Sequence, residues 1–340
     1  MDEKNKMLPK FLSEWDHEPD DAEIKSLRAS LSPEERAQIR HNLAEDMIQK
    51  GSYQTYQDLW MQSQSVDSYR DRTSYGETVS LHAHPFGELL YASSGEAQYL
   101  LGGRLCSVCS GDAVFIPPNT VHSPIFPGAA DETAYYERIV IWVNNDILQN
   151  VKDLFPQKTD GVCEDLLRNG FILHVDRSEN ISIKNAFFEI CQEAEKASDG
   201  WQLVAGGLST ALMARMLRAA LKKPQKTAAK EELVEKVLEY IEQNLSGRIT
   251  LENTAGIFHL SVTALNKHFR EQLHTSFYHY VLQRRLNEAK ILIAGSVPLT
   301  NAAGQTGFCD YSAFYRAFKK EFGISPSRYK NLTCELHQQG

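Results

Sequence analysis

Three side chains of the types that bind metal ions lie within seven residues in the N-terminal half of the chain. They stand in the stretch "LHAHPFGE", where His82 and His84 are two residues apart and Glu88 follows four further on. Imidazole nitrogens and carboxylate oxygens are common ligands of Fe, Mn, Ni, Cu and Zn. Taken alone, the spacing suggests the active site of a metal-dependent enzyme.

The elements that must position these residues are short and extended. Between residues 66 and 145 the chain has short runs rich in Val, Ile, Tyr and Phe, separated by "SSGE", "LGGR", "CSGD" and "PPNT". β-branched and aromatic residues favour strands, and Gly, Pro, Asn and Asp favour the turns that join them. The pattern is typical of a β-barrel or β-sandwich.

Composition is that of a soluble globular protein with more than one domain. A length of 340 residues predicts two or three domains, and a content of 42% hydrophobic and 24% charged residues is sufficient for a buried core. We find no apolar run of roughly 18 residues and no secretory signal at the start "MDEKNKMLPK", so we expect a cytoplasmic protein without a membrane span. Six cysteines are too few for a disulfide scaffold.

Charge is distributed unevenly along the chain. The net charge is −8, but residues 226–332 hold 8 Lys and 6 Arg against 9 Glu and 1 Asp, a net charge of +4. A basic C-terminal third attached to an acidic body is typical of a chain whose last domain binds a polyanion. Chance segregation of surface charge would give the same excess, so the charge alone does not establish that this domain binds a polyanion.

Helical patterns flank the β region. Before it, "SPEERAQIRHNLAEDMIQKG" has Ser32 as an N-cap, Pro33 at the first helical position and Gly51 at its end, which predicts a helix of about 17 residues. After it, amphipathic helices run through "NAFFEICQEAEKAS" and "WQLVAGGLSTALMARMLRAALKK". These helices cover the barrel or form a dimer interface, and periodicity does not distinguish the two. The segment 222–232, "KKPQKTAAKEE", is the best candidate linker.

The stretch "ITLENTAGIFHLSVTALNKHFREQLHTSF" predicts a short helix, a tight turn and a second helix, with Thr250 and Ser261 as N-caps. In the second helix Leu265 and Phe269 face the core. The opposite face carries side chains that can form hydrogen bonds, namely Thr263, Asn266, Lys267 and Arg270. A helix-turn-helix unit with a polar, partly basic outer face has the shape that enters a DNA major groove.

The same pattern recurs in "PLTNAAGQTGFCDYSAFYRAFKKEFGISPSRYK". A short helix of small residues precedes a turn at Gly307 and Phe308, and a second helix is capped near Asp310. Phe314 and Phe318 face inward. The outward face carries Ser312, Tyr315, Arg316 and Lys319, with Lys320 beside them. Between the two units, "SFYHYVLQRRLNEAKILIAG" predicts a long amphipathic helix that would hold them at a fixed separation.

Residues 231–332 resemble the DNA-binding domain of the AraC family of bacterial transcription regulators. The resemblance is carried by "LENTAGIFHLSVTALNKHF" and above all by "GFCDYSAFYRAFKKEFGISPSRYK", and it covers the whole predicted domain. Ala302 departs from the family pattern, in which Ile is usual, and so do Asn253 and Thr254.

This resemblance implies that two recognition helices enter successive major grooves on one face of the DNA. Carried over by position, the base-reading residues are Thr263, Asn266 and Lys267 in the first helix and Tyr311, Ser312 and Arg316 in the second. Arginine commonly pairs with guanine, and asparagine can pair bidentately with adenine. The phosphate contacts would be Lys319, Lys320 and Arg270.

The segment with the paired histidines is similar to the first motif of the cupin barrel superfamily, from Gly76 to Gly95. The stretch "GDAVFIPPNTVH" resembles the second motif through Gly111, Pro117 and His122, with Asn119 where Gly is usual. In metal-binding cupins the ion is held at the positions of His82, His84, Glu88 and His122. A divalent transition metal in the barrel is the one cofactor that this resemblance suggests.

A metal-free reading of the same motif stays open. Sensor domains of AraC-family proteins resemble cupins and commonly keep a remnant of the motif while they bind small organic effectors without metal. His82, Glu88 and His122 would then form hydrogen bonds to the effector, and His84 would be structural. Tyr91 and Trp142 would be apolar walls of the effector pocket.

The predicted fold class is α+β with several domains. These are a helical N-terminal extension (1–65), a cupin-like effector-binding barrel (66–150), a helical dimerisation or linker region (151–225) and an AraC-type double helix-turn-helix domain (226–335). The favoured function is a non-catalytic, homodimeric regulator of transcription, an activator that contacts RNA polymerase, in which a small molecule in the barrel changes the affinity for double-stranded DNA. The alternatives are a metal-dependent cupin enzyme fused to a DNA-binding domain, and a DNA-binding protein whose barrel only dimerises.

Overall fold

The computed structural model describes residues 61, 63–75, 79, 81–126, 135–154, 161–173, 181–222 and 233–337. The predicted helix that follows Ser32, the motif residue Gly76 and residues 223–232 of the predicted linker lie outside the described residues. The boundaries of the four predicted domains therefore stay predictions.

The N-terminal part of the described chain is built from two antiparallel sheets. Its strands are β1 (Val66–Ser74), β2 (Gly87–Ser94), β3 (Glu96–Leu101), β4 (Arg104–Cys109), β5 (Ala113–Ile116), β6 (His122–Ile125), β7 (Tyr135–Val143) and β8 (Phe171–Leu173). The larger sheet has the order β1-β7-β2-β5-β8, and the smaller has the order β4-β3-β6. The predicted β-rich region is confirmed.

Side-chain alternation divides the larger sheet into two faces. On β2 and β5, Leu90 and Val114 join side chains of the smaller sheet, among them Tyr99 and Val108, in one buried cluster. Leu89 and its neighbours on the other face belong to a second cluster, which is shared with helices. Successive residues of a strand point to opposite faces, so one sheet can line the space between the sheets and also support helices.

The described residues between β7 and residue 222 include four helices, which are α1 (Asn145–Leu154), α2 (Val162–Asn169), α3 (Ile181–Lys196) and α4 (Trp201–Lys222). α3 packs on β1 and β7, and α4 packs on α3, α1 and β8. The buried positions of α3 include Phe187, Ile190 and Cys191, and those of α4 include Leu212 and Met216, as the periodicity predicts. These faces cover the larger sheet, which is one of the two alternatives that periodicity left open.

The C-terminal part is helical throughout its described residues. Its helices are α5 (Leu233–Gln243), α6 (Leu251–Ile257), α7 (Val262–Leu273), α8 (Phe277–Ala294), α9 (Leu299–Gln305), α10 (Tyr311–Phe322) and α11 (Pro326–His337). The predicted N-caps are confirmed: Thr250 accepts from the Asn253 amide, Ser261 from Ala264 and Asp310 from Ala313. The α+β fold class, with a sheet-rich N-terminal and a helical C-terminal part, is confirmed as well.

The two helix-turn-helix units have separate cores. Leu265 and Phe269 of α7 lie in a cluster with α5, α6 and the first half of α8, and Phe314 and Phe318 of α10 lie in a cluster with the second half of α8. α8 thus joins the two units, as its position between them predicts. Within the described ranges, no helix combines the length and apolarity that crossing a membrane requires.

Candidate functional site

Three of the predicted metal ligands converge inside the barrel. His84 Nε2 lies 3.1 Å from Glu88 Oε2, and His122 Nε2 lies 3.9 Å from the same oxygen. All three side chains are buried, and one donor atom from each lies within 4.8 Å of the others. We call His84, Glu88 and His122 the histidine cluster.

Both imidazoles of the histidine cluster are held by backbone carbonyls. His84 Nδ1 is 2.8 Å from the Phe86 carbonyl, and His122 Nδ1 is 2.8 Å from the Thr120 carbonyl. A carbonyl only accepts, so each Nδ1 must carry a proton and donate it. In neutral His122 the Nε2 atom then presents a lone pair, and this buried atom has no hydrogen-bond partner among the described residues. Such anchoring of the far nitrogen is the arrangement that orients histidine as a metal ligand.

Trp142 completes the surroundings of the carboxylate. Glu88 on β2 and Trp142 on β7 are register partners, so their side chains share one face, and Trp142 Nε1 donates to Glu88 Oε2 at 3.0 Å. Trp142 also packs on Phe86 at 4.8 Å between ring centroids. The prediction of a merely apolar wall is corrected here, because the indole also acts as a hydrogen-bond donor.

The charge state of the cluster follows from these contacts. Burial alone would raise the pKa of Glu88, but the hydrogen bond from His84 and the electrostatic interactions with His122, His84 and His82 outweigh it and lower the pKa to about 2. Burial and the neighbouring His82 lower the pKa of His122 well below its usual value. The cluster therefore pairs an ionised carboxylate with a neutral imidazole whose lone pair is available.

His82 does not join the three converging donors. Its imidazole lies beside that of His122, at 4.2 Å between ring centroids, and 6.3 Å from that of His84. Its backbone pairs with the backbone of His122 in an isolated bridge. The predicted four-ligand set is thus corrected to three converging donors with a fourth imidazole beside them. Asn119, which stands where Gly is usual, has φ of 61° and so adopts the left-handed conformation that the motif requires.

Tyr91 lies on the opposite face of β2 from Glu88. Its ring packs against Phe187 and Phe188 of α3, at 5.6 Å and 6.3 Å between centroids. It belongs to the cluster between the larger sheet and the helices. The prediction of Tyr91 as a wall of an effector pocket is wrong, because three positions along a strand reverse the side-chain direction.

The donor set fits a divalent transition metal. Two imidazole nitrogens and one carboxylate oxygen are ligands that Fe, Mn, Ni, Cu and Zn accept, and the free lone pair of His122 is one position that such an ion would fill. Binding at His84 Nε2 would displace the proton that this atom donates to Glu88. His84, Glu88 and His122 would hold the ion. A bound ion would supply a Lewis acid with open positions for an oxygen or nitrogen of a small molecule.

Three further buried polar residues of the barrel were not predicted from the sequence. Arg138 is buried on β7, where it pairs with Asp71 and donates to Thr73 Oγ1 at 3.3 Å. Tyr99 and Tyr136 are buried beside it, and burial raises the pKa of Tyr99 to about 12. The available signal was alternation: Tyr136, Arg138 and Trp142 stand two and four residues apart in "YYERIVIWV", on one face of one strand.

The outer face of α7 is exposed except at one predicted position. Thr263, Lys267 and Arg270 are exposed, and Lys267 lies 3.7 Å from Glu271. Asn266 is half-buried, and its Oδ1 accepts from the Phe277 amide at the start of α8 at 3.4 Å. Asn266 therefore links two helices, which limits the orientations in which it can read a base.

The outer face of α10 shows the same division. Most of the predicted DNA-contacting residues there are exposed, namely Ser312, Arg316, Lys319 and Lys320. Tyr311 is half-buried against Phe314, at 5.8 Å between ring centroids. Tyr311 is thus part of the core of its unit as well as its surface.

One guanidinium connects the two helix-turn-helix units. Arg285 of α8 donates to the carbonyls of Leu245 and Gly247, which follow α5, and to the carbonyl of Gly307, in the turn between α9 and α10. Gly307 has φ of 83°, and a Cβ there would lie 2.8 Å from the Arg285 guanidinium and from the Leu245 carbonyl. Only glycine fits this close approach without a shift of backbone.

Comparison with known proteins finds a matching domain family in each of the two parts of the chain. A helix-turn-helix domain family matches residues 254–331, and a cupin domain family matches residues 72–141. The "Probable transcriptional regulator LumQ" of Photobacterium leiognathi is 25% identical over 255 residues, which cover 75% of this chain and 93% of that protein. The "HTH-type transcriptional activator RhaR" of Yersinia pseudotuberculosis is 24% identical over 264 residues, which cover 75% of this chain and 85% of that protein.

Among solved structures, ToxT of Vibrio cholerae is 12% identical and covers 79% of this chain and 100% of that chain, with a TM-score of 0.35. The assignment rests on the two domain matches and on the named relatives. The first match begins within α6 and covers α7, α8, α9 and α10, and the histidine cluster lies within the second. The chain thus carries a cupin domain followed by a helix-turn-helix domain of the AraC type, the two domains that the resemblance to AraC-family transcription regulators predicts.

Proposed function

We propose that this DNA-binding regulator is a one-component sensor, in which occupancy of the histidine cluster changes the affinity for DNA. One observation carries the proposal: His122 Nε2 is buried, unpartnered among the described residues and directed with His84 toward Glu88. A buried acceptor without a partner costs free energy, so its presence favours a ligand that supplies the missing contact.

The occupant that suits the donor set best is a divalent transition metal, alone or with a small molecule bound to it. A polar organic effector without metal is the other candidate, with His122 and Glu88 as its hydrogen-bond partners. Arg138, Tyr99 and Tyr136 add a cation and two hydroxyls to the interior of the same barrel.

The DNA contacts that we propose are those of the two recognition helices. Base contacts come from Thr263, Lys267, Ser312 and Arg316, and Arg270, Lys319 and Lys320 bind phosphates. Asn266 and Tyr311 contribute to base reading only through the part of each side chain that remains accessible.

A homodimer in the cytoplasm is the assembly that we propose. The helical region 151–225 has large exposed apolar side chains, namely Leu203 (83% exposed) and Val204 (47%) of α4 and Ile181 (56%) of α3. These side chains favour an interface in this region. The name of the relative RhaR, a transcriptional activator, supports activation through contact with RNA polymerase. The domain limits that we propose are 1–65, 66–150, 151–225 and 226–335.

A metal-dependent enzyme is a second candidate for the barrel. Two histidines and one carboxylate with open positions are the ligand set of many iron oxygenases, and that set is the observation that favours it. The relatives are named as transcriptional regulators, which supports a non-catalytic role. Substrate turnover by the Fe(II)- or Mn(II)-loaded full chain would favour the enzyme, and a barrel that takes no occupant at all would leave only a scaffold for dimerisation.

Metal analysis and native mass spectrometry of the purified full chain test the proposal. We expect about one equivalent of a transition metal or of a retained small molecule per chain, and its loss in the variant Glu88→Gln/His122→Ala. The variant His279→Ala, which changes an exposed histidine of α8, is the control. A wild-type protein that carries neither, and that takes up neither Zn²⁺ nor Mn²⁺, would overturn the proposal.

A further inference from the structure

The segment 81–84, which carries the paired histidines, contacts the helix-turn-helix domain with its other face. Leu81 and Ala83 are buried in the same cluster as Val237 of α5, Phe269 of α7 and Tyr280 of α8. His84, the last residue of the segment, belongs to the histidine cluster. The segment 81–84 thus lies between the ligand site and the first DNA-binding unit and contacts both.

The backbone of the segment is held on both edges. On the barrel side, His82 exchanges two hydrogen bonds with the backbone of His122, at 3.0 Å and 2.8 Å, and the His84 carbonyl accepts from Asn119 at 2.7 Å. On the other side, the Leu81 carbonyl accepts from Asn287 Nδ2 at 3.1 Å, and the Ala83 carbonyl accepts from Lys290 Nζ at 3.2 Å. Two side chains of α8 therefore take the place of a neighbouring strand.

Lys290 extends this contact to the second DNA-binding unit. Its side chain is 4% exposed, and its ammonium lies 4.7 Å from the ring centroid of Phe322 and 6.0 Å from that of Tyr329. Both aromatic residues belong to the core of the second unit. A buried ammonium needs its hydrogen-bond acceptors, so a displacement of Ala83 away from Lys290 would also disturb this unit.

Asn287 anchors the contact on α8. It is fully buried, and its Nδ2 also donates to the Gln283 carbonyl of its own helix at 2.9 Å. Asn287 and Lys290 lie one turn apart on the helix that joins the two units. A movement of the segment 81–84 would therefore displace side chains of α8, the helix that joins the two units and fixes the relative position of their recognition helices.

We propose that Asn287 and Lys290 are the positioning residues through which occupancy of the histidine cluster changes DNA affinity. This role rests on the proposed sensor function, because the two residues would connect the ligand site with the DNA-binding helices. An occupant that binds His84 and His122 contacts both of the backbone segments that the His82–His122 bridge joins. The carbonyls on the far side of the segment 81–84 are the ones that α8 holds. Coupling between two sites requires such an element with contacts to both.

A DNA-affinity measurement in four full-length proteins tests the inference. The wild type, Lys290→Met, Asn287→Leu and the control Lys236→Met, an exposed lysine of α5, are stripped of metal. Each is titrated with the duplex that the wild type enriches from a randomised library, without metal and at saturating Zn²⁺. We expect Zn²⁺ to change the Kd of the wild type and the control at least about 5-fold, within the usual range for coupled sites, and that of the two α8 variants less than about 2-fold.

The outcomes separate the route from the function. If Zn²⁺ changes the Kd of both α8 variants as much as it changes that of the wild type, the positioning role of Asn287 and Lys290 is overturned. The proposed sensor function would then still stand. If neither Zn²⁺ nor Glu88→Gln changes the DNA affinity of the wild type, the sensor and the route fail together. Should both α8 variants fail to fold, hydrogen exchange of the wild type decides: DNA must change the exchange of the peptide that contains residues 81–84, and unchanged exchange overturns the route.

Discussion

Glu88 and Trp142 face each other across β2 and β7, and the indole Nε1 donates to Oε2 of the carboxylate at 3.0 Å. An ionised carboxylate in a buried position needs donors that stay in place. The strand register supplies this one, and His84 supplies another at 3.1 Å. The register of two neighbouring strands thus fixes Glu88 and Trp142, whereas His84 lies in the segment before β2 and His122 begins β6 of the smaller sheet.

Trp142→Phe tests the importance of this donor. We expect a loss of about 1 to 3 kcal/mol in the free energy of unfolding, because the change leaves a buried carboxylate with one donor fewer. The T-shaped contact with Tyr69, at 5.2 Å between centroids, is available to phenylalanine as well. Urea unfolding of the full chain measures the change, and Trp201→Phe on α4 is the control. An equal loss in the two variants would contradict the assigned role of Trp142.

Gly307→Ala tests the close approach between the two DNA-binding units. A Cβ at this left-handed position would meet the Arg285 guanidinium and the Leu245 carbonyl at 2.8 Å, so we expect a loss of more than about 1 kcal/mol in stability. Gly304 is the matched control, because a Cβ there meets nothing within 4 Å and the residue lies in α9. Gly304→Ala should stabilise the protein by about 0.5 to 1 kcal/mol. Thermal unfolding of both variants gives the comparison, and shifts of the same sign would contradict the account.

Asn266→Ala tests whether this residue is mainly structural. Its Oδ1 accepts from the Phe277 amide, so we expect a loss of about 1 kcal/mol in stability. Thr263→Ala, at an exposed position of the same helix, should change stability by less than about 0.5 kcal/mol. Chemical unfolding of the two variants side by side measures both. A stable Asn266→Ala protein with altered base preference would instead make Asn266 a base-reading residue.

Arg316→Ala and Lys319→Ala test the division between base and phosphate contacts on α10. Loss of the arginine should cost about 1 to 3 kcal/mol of binding free energy and relax preference at one base pair. Loss of the lysine should weaken binding to all duplexes alike and reduce the salt slope by about 1. Fluorescence anisotropy over a series of salt concentrations and single-base substitutions measures both effects. A uniform loss in Arg316→Ala would reassign the arginine to a phosphate.

Local signals in the sequence predicted the helical domain well. The caps at Thr250, Ser261 and Asp310 bind backbone amides three residues away, so residue type and spacing are enough to predict them. The inward phenylalanines of α10 follow from helical periodicity in the same way.

Long-range partners could not be predicted from residue types. Lys290 and Asn287 bind backbone carbonyls 207 and 206 residues away, and a carbonyl is present at every position of the chain. Arg285 does the same across 40 and 22 residues. Tyr91, in contrast, was assigned to the wrong face although alternation alone separates it from Glu88, which lies three positions away on β2.

Occupancy of the histidine cluster and DNA affinity can both be measured in the unaltered protein. The measurement is the Kd of the full-length wild type for its enriched duplex, determined by anisotropy after complete removal of metal and again after reloading with Zn²⁺. We expect Zn²⁺ to change the Kd at least about 5-fold, and we expect Glu88→Gln to abolish this change. Equal affinities before and after loading, with metal analysis showing a filled site, would contradict the proposed sensor function.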